Sequence, residues 1–258
     1  MYKLREKEGE VVELKIIFED ECLVVIDKPS GIVSNNAESV KEETVQSWFF
    51  DKILNPKSEN PNKSQNLNTN NLELSTLNSE FWSKGGVVHR LDKDTSGVMV
   101  LAKTEEAYEA LKSQFLERKT VKKYVALVHG ELKEARGLIN TPIERIGKKF
   151  YVGTDLSRTA ITEWQVIKAF SVQGSAFSLL ELTPHTGRTH QLRVHMRHLG
   201  HPMVADPIYG DRKTWKKDLQ ICPRLFLHAK YLEFTHPVSK QRVNFEAELP
   251  EDLAKVIH

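Results

Sequence analysis

The stretch Val88-His89-Arg90-Leu91-Asp92-Lys93-Asp94-Thr95-Ser96-Gly97 runs straight into the apolar segment Gly97 to Ala102, and the rest of the chain reads outward from it. The apolar segment is short and uninterrupted, the pattern of a buried strand. Ahead of it, a glycine-bearing loop leads into His89, Arg90, two carboxylates and two hydroxyls. Loops held by rigid elements often carry functional residues. The same residues also suit a plain polar turn, with Asp94, Thr95 and Ser96 bonding nearby backbone. A protein kinase catalytic loop also opens His-Arg, but there Asp follows at once. Here Leu91 intervenes, and no G-x-G-x-x-G loop or D-F-G triplet is present.

Upstream, the runs Val11 to Phe18 and Cys22 to Lys28 flank the acidic turn Glu19-Asp20-Glu21. They predict a β-hairpin, stopped by Pro29-Ser30-Gly31. Val45, Trp48, Phe49 and Ile53 stand at helical spacing and predict a helix over Thr44 to Leu54. Composition then shifts: residues 55–80 hold eight Asn, with Ser, Lys and two Pro, and predict a flexible surface insertion.

Downstream, Thr104 caps a helix predicted to reach about Glu117, with Glu105 and Glu106 at its positive end. Strands are predicted at Tyr124 to Val128, Ala160 to Ala169, Phe177 to Thr183, Leu225 to Phe234 and Arg242 to Ala247. Further helices are predicted at Thr189 to Leu199, ended by Gly200, and at Pro250 to Ile257. Strands with interspersed helices, not strictly alternating, predict an α+β fold. Its central sheet is mixed and mainly antiparallel, flanked by helices, in a single domain over residues 1–258.

The 258 residues carry 37 Lys+Arg and 35 Asp+Glu, a formal net charge of +2. That charge is uneven: −5 over residues 1–60, −1 over 61–80 and +8 over 81–258. A mildly basic body suits an anionic partner such as RNA, DNA or a phosphorylated metabolite, and ordinary solvated charge accounts for it equally well. No run of about 18 apolar residues exists, which excludes a transmembrane helix. Met1 to Glu10 has no apolar core of the kind a secretory signal needs. Two cysteines, Cys22 and Cys222, are too few for a disulfide framework and lack zinc-site spacing. A cytoplasmic location follows.

Two more stretches hold chemistry. Leu182 to His195 continues through Gly200-His201-Pro202 to Asp206-Pro207-Ile208-Tyr209-Gly210, and five of the ten histidines fall between 185 and 201. On the predicted helix, Leu192, Met196 and Leu199 share a face that would pack on the sheet, while His190, Arg193 and Arg197 form a cationic stripe. His190 and His195 are five apart with no carboxylate between them, unlike H-E-x-x-H, so a metal site is not expected. The segment Arg118-Lys119-Thr120-Val121-Lys122-Lys123-Tyr124 sets bases beside an aromatic. That pairing suits phosphate attraction with base stacking, or equally a solubilising strand edge.

Taken together, these blocks resemble the RluA-type pseudouridine synthases. The resemblance rests on His89-Arg90-Leu91-Asp92 with Thr95-Ser96-Gly97, on Lys122 to Val128, on Thr186 to His195, and on Gly200 to Gly210. Asp27-Lys28-Pro29-Ser30-Gly31, Leu227-His228-Ala229 and His236-Pro237 are similar as well, in family order from about residue 14 to 252. The separate small N-terminal RNA-binding domain of some members is not expected, and the Asn-rich stretch is no part of the family pattern.

The resemblance implies isomerisation of uridine in ribosomal or transfer RNA, with the N1–C1′ bond broken and a C5–C1′ bond made. It implies Asp92 as the catalytic carboxylate, Arg193 as its charge partner, and Tyr124 stacking on the base and sharing in proton transfer at C5. Arg90 would sit beside the flipped nucleotide, and His89, Lys119, Lys122, Lys123 and Arg197 are further RNA-contact candidates. Asp94 reads as a turn residue, and His185, His195 and His201 as mostly structural. No metal, organic cofactor or membrane is implied, and a monomer is. The alternatives are a non-catalytic RNA-binding protein of the same fold and a histidine-ligated metalloenzyme.

Overall fold

Asp20 makes the first hairpin. Its Oδ1 accepts the amides of Cys22 and Leu23, both at 2.8 Å, and so turns β2 (Val11–Glu19) into β3 (Leu23–Lys28). The computed structural model describes residues 2–5, 11–38, 40–54, 79–172, 174–210 and 212–257. The expected Asn-rich insertion lies outside the described residues over 55–78. The chain separates into two compact units, residues 1–120 with 233–245 and residues 121–232 with 246–258.

In the first unit, β1 (Tyr2–Arg5), β2, β3 and β4 (Ser96–Ala102) pair antiparallel in that order. β3 and β4 align from Leu23 opposite Ala102 to Lys28 opposite Gly97, and every residue of β4 is buried. Burial on both faces explains why β4 is apolar from Gly97 to Ala102 and does not alternate. α1 (Val45–Phe49) starts at Thr44, whose hydroxyl accepts the Ser47 amide while its own amide donates to Ser47 Oγ. The predicted helix then loosens into a π-helical turn, Phe50–Leu54. α2 (Glu80–Lys84) ends at Gly85, and α3 (Glu105–Leu116) is capped by Thr104 as expected. Gly86 has φ +71°, and a Cβ there would lie 2.3 Å from the Ala102 carbonyl oxygen, so only glycine fits.

In the second unit the sheet order is β5 (Val121–His129), β9 (Ser175–Pro184), β8 (Thr159–Val172), β6 (Arg136–Ile146) and β7 (Lys149–Val152), all antiparallel. The register sets Tyr124, Leu182, Trp164 and Gly137 side by side on one face. α4 (Gln191–His198) covers that face, with Leu192 and Met196 packed among Trp164, Leu180 and Leu182. Val125, Leu127, Phe177 and Leu179 of the other face pack with Leu253 of α6 (Glu251–Ile257). α5 (Arg212–Ile221) follows α4, and β10 (Leu227–Thr235) pairs with β11 (Arg242–Glu246).

This is an α+β fold of mainly antiparallel strands, as the pattern predicts. Five elements escape the pattern: β1, α2, β6, β7 and α5. Pro142 and the exposed Leu138 and Ile146 hide the β6–β7 hairpin, and the basic, part-exposed α5 lacks a clean apolar stripe.

Candidate active site

Asp92 sits on a loop whose backbone is tied down from outside while its side chain stays half-exposed. Lys28 is fully buried at the end of β3, and its ammonium donates to the carbonyls of Pro29 and Ile32 at 2.8 Å and of Lys93 at 3.2 Å. Ser30 Oγ donates to the Asp94 carbonyl, the Gly31 amide to the Lys93 carbonyl, and Ser34 Oγ to the Leu91 carbonyl at 2.7 Å. The Leu91 amide returns to Ser34 Oγ, and the Thr95 amide closes a turn onto the Asp92 carbonyl. Asp94 is thus a turn residue.

A buried ammonium is costly unless its hydrogens are satisfied, so Lys28 is stable here only with these carbonyls in place. Sequence reasoning passed over Lys28 and Ser34 as site residues, although Lys28 stands in the quoted Asp27-Lys28-Pro29-Ser30-Gly31 turn. The Thr95 hydroxyl is buried and has no hydrogen-bond partner among the described residues.

His89 is half-buried. Its ring stacks on Phe115 at 4.5 Å, and its Nε2 accepts the Val100 amide at 3.0 Å, which places the neutral ring's proton on Nδ1. The imidazole therefore braces β4. Arg90 is exposed, and Lys119 is exposed with Glu117 as its ion-pair partner.

In the second unit, β5 alternation divides the lysines. Lys122 shares the Tyr124 face, whereas Lys123 points to the opposite face and pairs with Glu181 at 2.9 Å. Burial pushes the Lys122 ammonium below its usual pKa. Tyr124 packs against the Trp164–Leu182 cluster beneath α4. Residue 124 and the helix bearing Arg193 therefore serve the same side of this sheet.

α4 differs from the expected helix. It begins at Gln191, because His190 adopts φ +56° at the N-cap and bonds Tyr209 Oη through Nδ1 at 2.8 Å. The expected cationic stripe is not a solvated face. Arg193 is 2% exposed and grips Asp206 with Nε at 2.8 Å and Nη2 at 2.7 Å, while Arg197 donates to the Tyr209 carbonyl. Leu199 is 37% exposed and does not pack with Leu192 and Met196.

Burial alone would raise the Asp206 pKa. The Arg193 guanidinium and the amides of Tyr209 and Ile208 outweigh it and hold the carboxyl below its usual range. Asp206 is the residue the sequence reading left without a role, though it stands in the quoted Asp206-Pro207-Ile208-Tyr209-Gly210 block. His195 is buried against Thr162, His201 bonds the His129 carbonyl, and the part-exposed His185 lies 3.2 Å from Glu163.

The described residues bring together one group with metal-ligand chemistry: Asp20, Cys22 and His236. Two backbone amides, of Val238 and Ser239, point at His236 Nδ1, so its proton sits on Nε2 and is donated to Asp20 Oδ2 at 2.7 Å. A metal on Nε2 would require an imidazolate. Burial, and then the Asp20 carboxylate, push the Cys22 thiol up to about 11, far from a thiolate ligand. The trio fits a hydrogen-bonded brace for the first hairpin better than it fits a metal.

Comparison with known proteins gives this arrangement a family. The sequence model for RNA pseudouridylate synthases matches residues 22–198. An RNA pseudouridine synthase of Bacillus subtilis is 36% identical over 251 residues, 96% of this chain and 73% of that one. Ribosomal large subunit pseudouridine synthase D of Pseudomonas aeruginosa is 36% identical over 93% of this chain and 70% of its own. Among solved structures, human RNA pseudouridylate synthase domain containing 1 aligns with a TM-score of 0.65 and 25% identity, covering 92% of this chain and 84% of that one. The chain belongs to the RNA pseudouridylate synthase family and is an enzyme that isomerises uridine in RNA to pseudouridine.

Proposed function

We propose that this enzyme acts on ribosomal RNA and that Asp92 is its catalytic carboxylate. The observation that carries the assignment is the Asp92 loop itself. Lys28, Ser30, Gly31 and Ser34 hold its backbone at residues 91, 93 and 94, while the Asp92 side chain stays accessible to a nucleotide. Support for ribosomal RNA comes from the relatives named ribosomal large subunit pseudouridine synthase D.

In the reaction, the N1–C1′ bond breaks, the freed base turns, C5 bonds to C1′, C5 loses its proton and N1 gains one. Asp92 meets the charge that develops at the sugar–base junction, as a nucleophile or a base. Tyr124 stacks on the detached base and takes part in proton transfer at C5. Arg193, oriented by Asp206, supplies the positive charge that favours an ionised carboxylate. Arg90 braces the space left by the flipped nucleotide, and Lys119, Lys122, Lys123 and Arg197 act on phosphates, Lys122 being the one that shares the Tyr124 face. His89 serves RNA indirectly, by holding β4. The chain works as one catalytic domain and a monomer, without metal or organic cofactor.

The test is tritium release from large-subunit ribosomal RNA transcribed with C5-tritiated uridine, with transfer RNA transcripts in parallel. Release by the wild type and none by Asp92→Asn is the expected result. Undiminished release by Asp92→Asn overturns the assignment, and release from transfer RNA alone overturns the substrate class.

A further inference from the structure

We infer that the outward face of α5 is a second RNA-docking surface, one that grips substrate RNA away from the target nucleotide. The inference rests on the chain being an RNA-modifying enzyme. It starts from the helix sequence, Arg-Lys-Thr-Trp-Lys-Lys-Asp-Leu-Gln-Ile over Arg212–Ile221, whose one acidic residue is Asp218.

Asp218 is turned inward and is 2% exposed. Its Oδ2 takes the His129 ring at 3.0 Å and the Ala205 amide at 3.1 Å. That anchor fixes the rotation of the helix. With 100° per residue, Lys216 then stands at the centre of the outward face. Trp215 and Leu219 flank it on one side, 37% and 39% exposed, and Lys213 and Lys217 lie a turn apart on the other, both exposed. The carboxylate that would offset this charge is spent on the anchor, and Lys216 and Lys217 make no ion pair among the described residues.

A row of exposed lysines, Lys216, Lys213 and Lys217, with the part-exposed Trp215 indole on the opposite flank of Lys216, offers a phosphate line and, round the helix from it, a surface on which a base can stack. RNA is the occupant that the charge selects, because the protein already binds this polyanion to act on it. The anchor also places the surface usefully: Ala205, which Asp218 holds, is the residue next to Asp206, the partner of Arg193.

The experiment is filter binding of a large-subunit ribosomal RNA transcript across a salt series, with steady-state pseudouridine formation on the same RNA. Lys216→Gln/Lys217→Gln is expected to lower the slope of log affinity against log salt by about 1.5. Trp215→Ala is expected to weaken binding about tenfold with the slope unchanged. Both should raise KM and leave kcat as in the wild type, and Lys216→Arg/Lys217→Arg should restore binding. An unchanged slope and KM in the Gln variant overturns the surface. A lowered slope on a transcript that the wild type never converts supports the surface and overturns only the ribosomal assignment.

Discussion

Asp92, Lys28 and Thr95 occupy one loop system and are expected to answer mutation in three different ways. Asp92→Asn keeps the shape and removes the ionised carboxylate, so kcat for tritium release should fall by about 10^3-fold or more with little change in melting temperature. Lys28→Met keeps the bulk but leaves the carbonyls of Pro29, Ile32 and Lys93 without their shared donor. A destabilisation of about 3 kcal/mol in urea unfolding, with a lower kcat, is expected. Thr95→Val removes a buried hydroxyl that has no partner among the described residues, so stability should hold or rise. A melting temperature that drops by several degrees would contradict this. Asp92 was legible as a residue type in a suggestive loop. Lys28 was not, because a lysine after an apolar strand reads as a solvated end until the carbonyls around it are seen.

At the level of elements, α4 shows what helical periodicity misses. The spacing placed Arg193 and Arg197 on a cationic stripe, and a helical wheel treats Arg as outward-facing. Asp206 lies 13 residues later, beyond the reach of any local pattern, and it is what makes burial of Arg193 tolerable. Removing it alone should be severe. Asp206→Ala takes the bidentate carboxylate from a buried guanidinium, and a loss of about 3–5 kcal/mol in denaturant unfolding is expected. β4 was readable because a strand buried on both faces is written as an apolar run. The β6–β7 hairpin was not, since its exposed Leu138 and Ile146 obscure the period-two signal.

For the whole molecule, acid should unfold the protein through two histidines that lie far from Asp92 in sequence. Burial lowers both His195 and His228 from 6.5 to about 4. The unfolded chain thus binds protons first as pH falls. Stability from these groups is complete above about pH 6.5, declines down to about pH 4 and is flat below. Each histidine contributes roughly 1.4 kcal/mol per pH unit in that window. Urea midpoints measured from pH 7 to 4 should fall accordingly, and His228→Gln, if it folds, should flatten the profile. The fold class was legible from composition and strand pattern alone, whereas the division into two contact units was not. Pro and Gly commonly punctuate turns, and the 206–210 loop carries one of each. Yet Asp206 Oδ1 takes the Ile208 and Tyr209 amides, and Lys149, His190, Arg193 and Arg197 all bond into the segment. In deuterium exchange, the amides of Ile208 and Tyr209 should therefore stay protected as long as those of the sheet core, opening only when the second unit unfolds as a body.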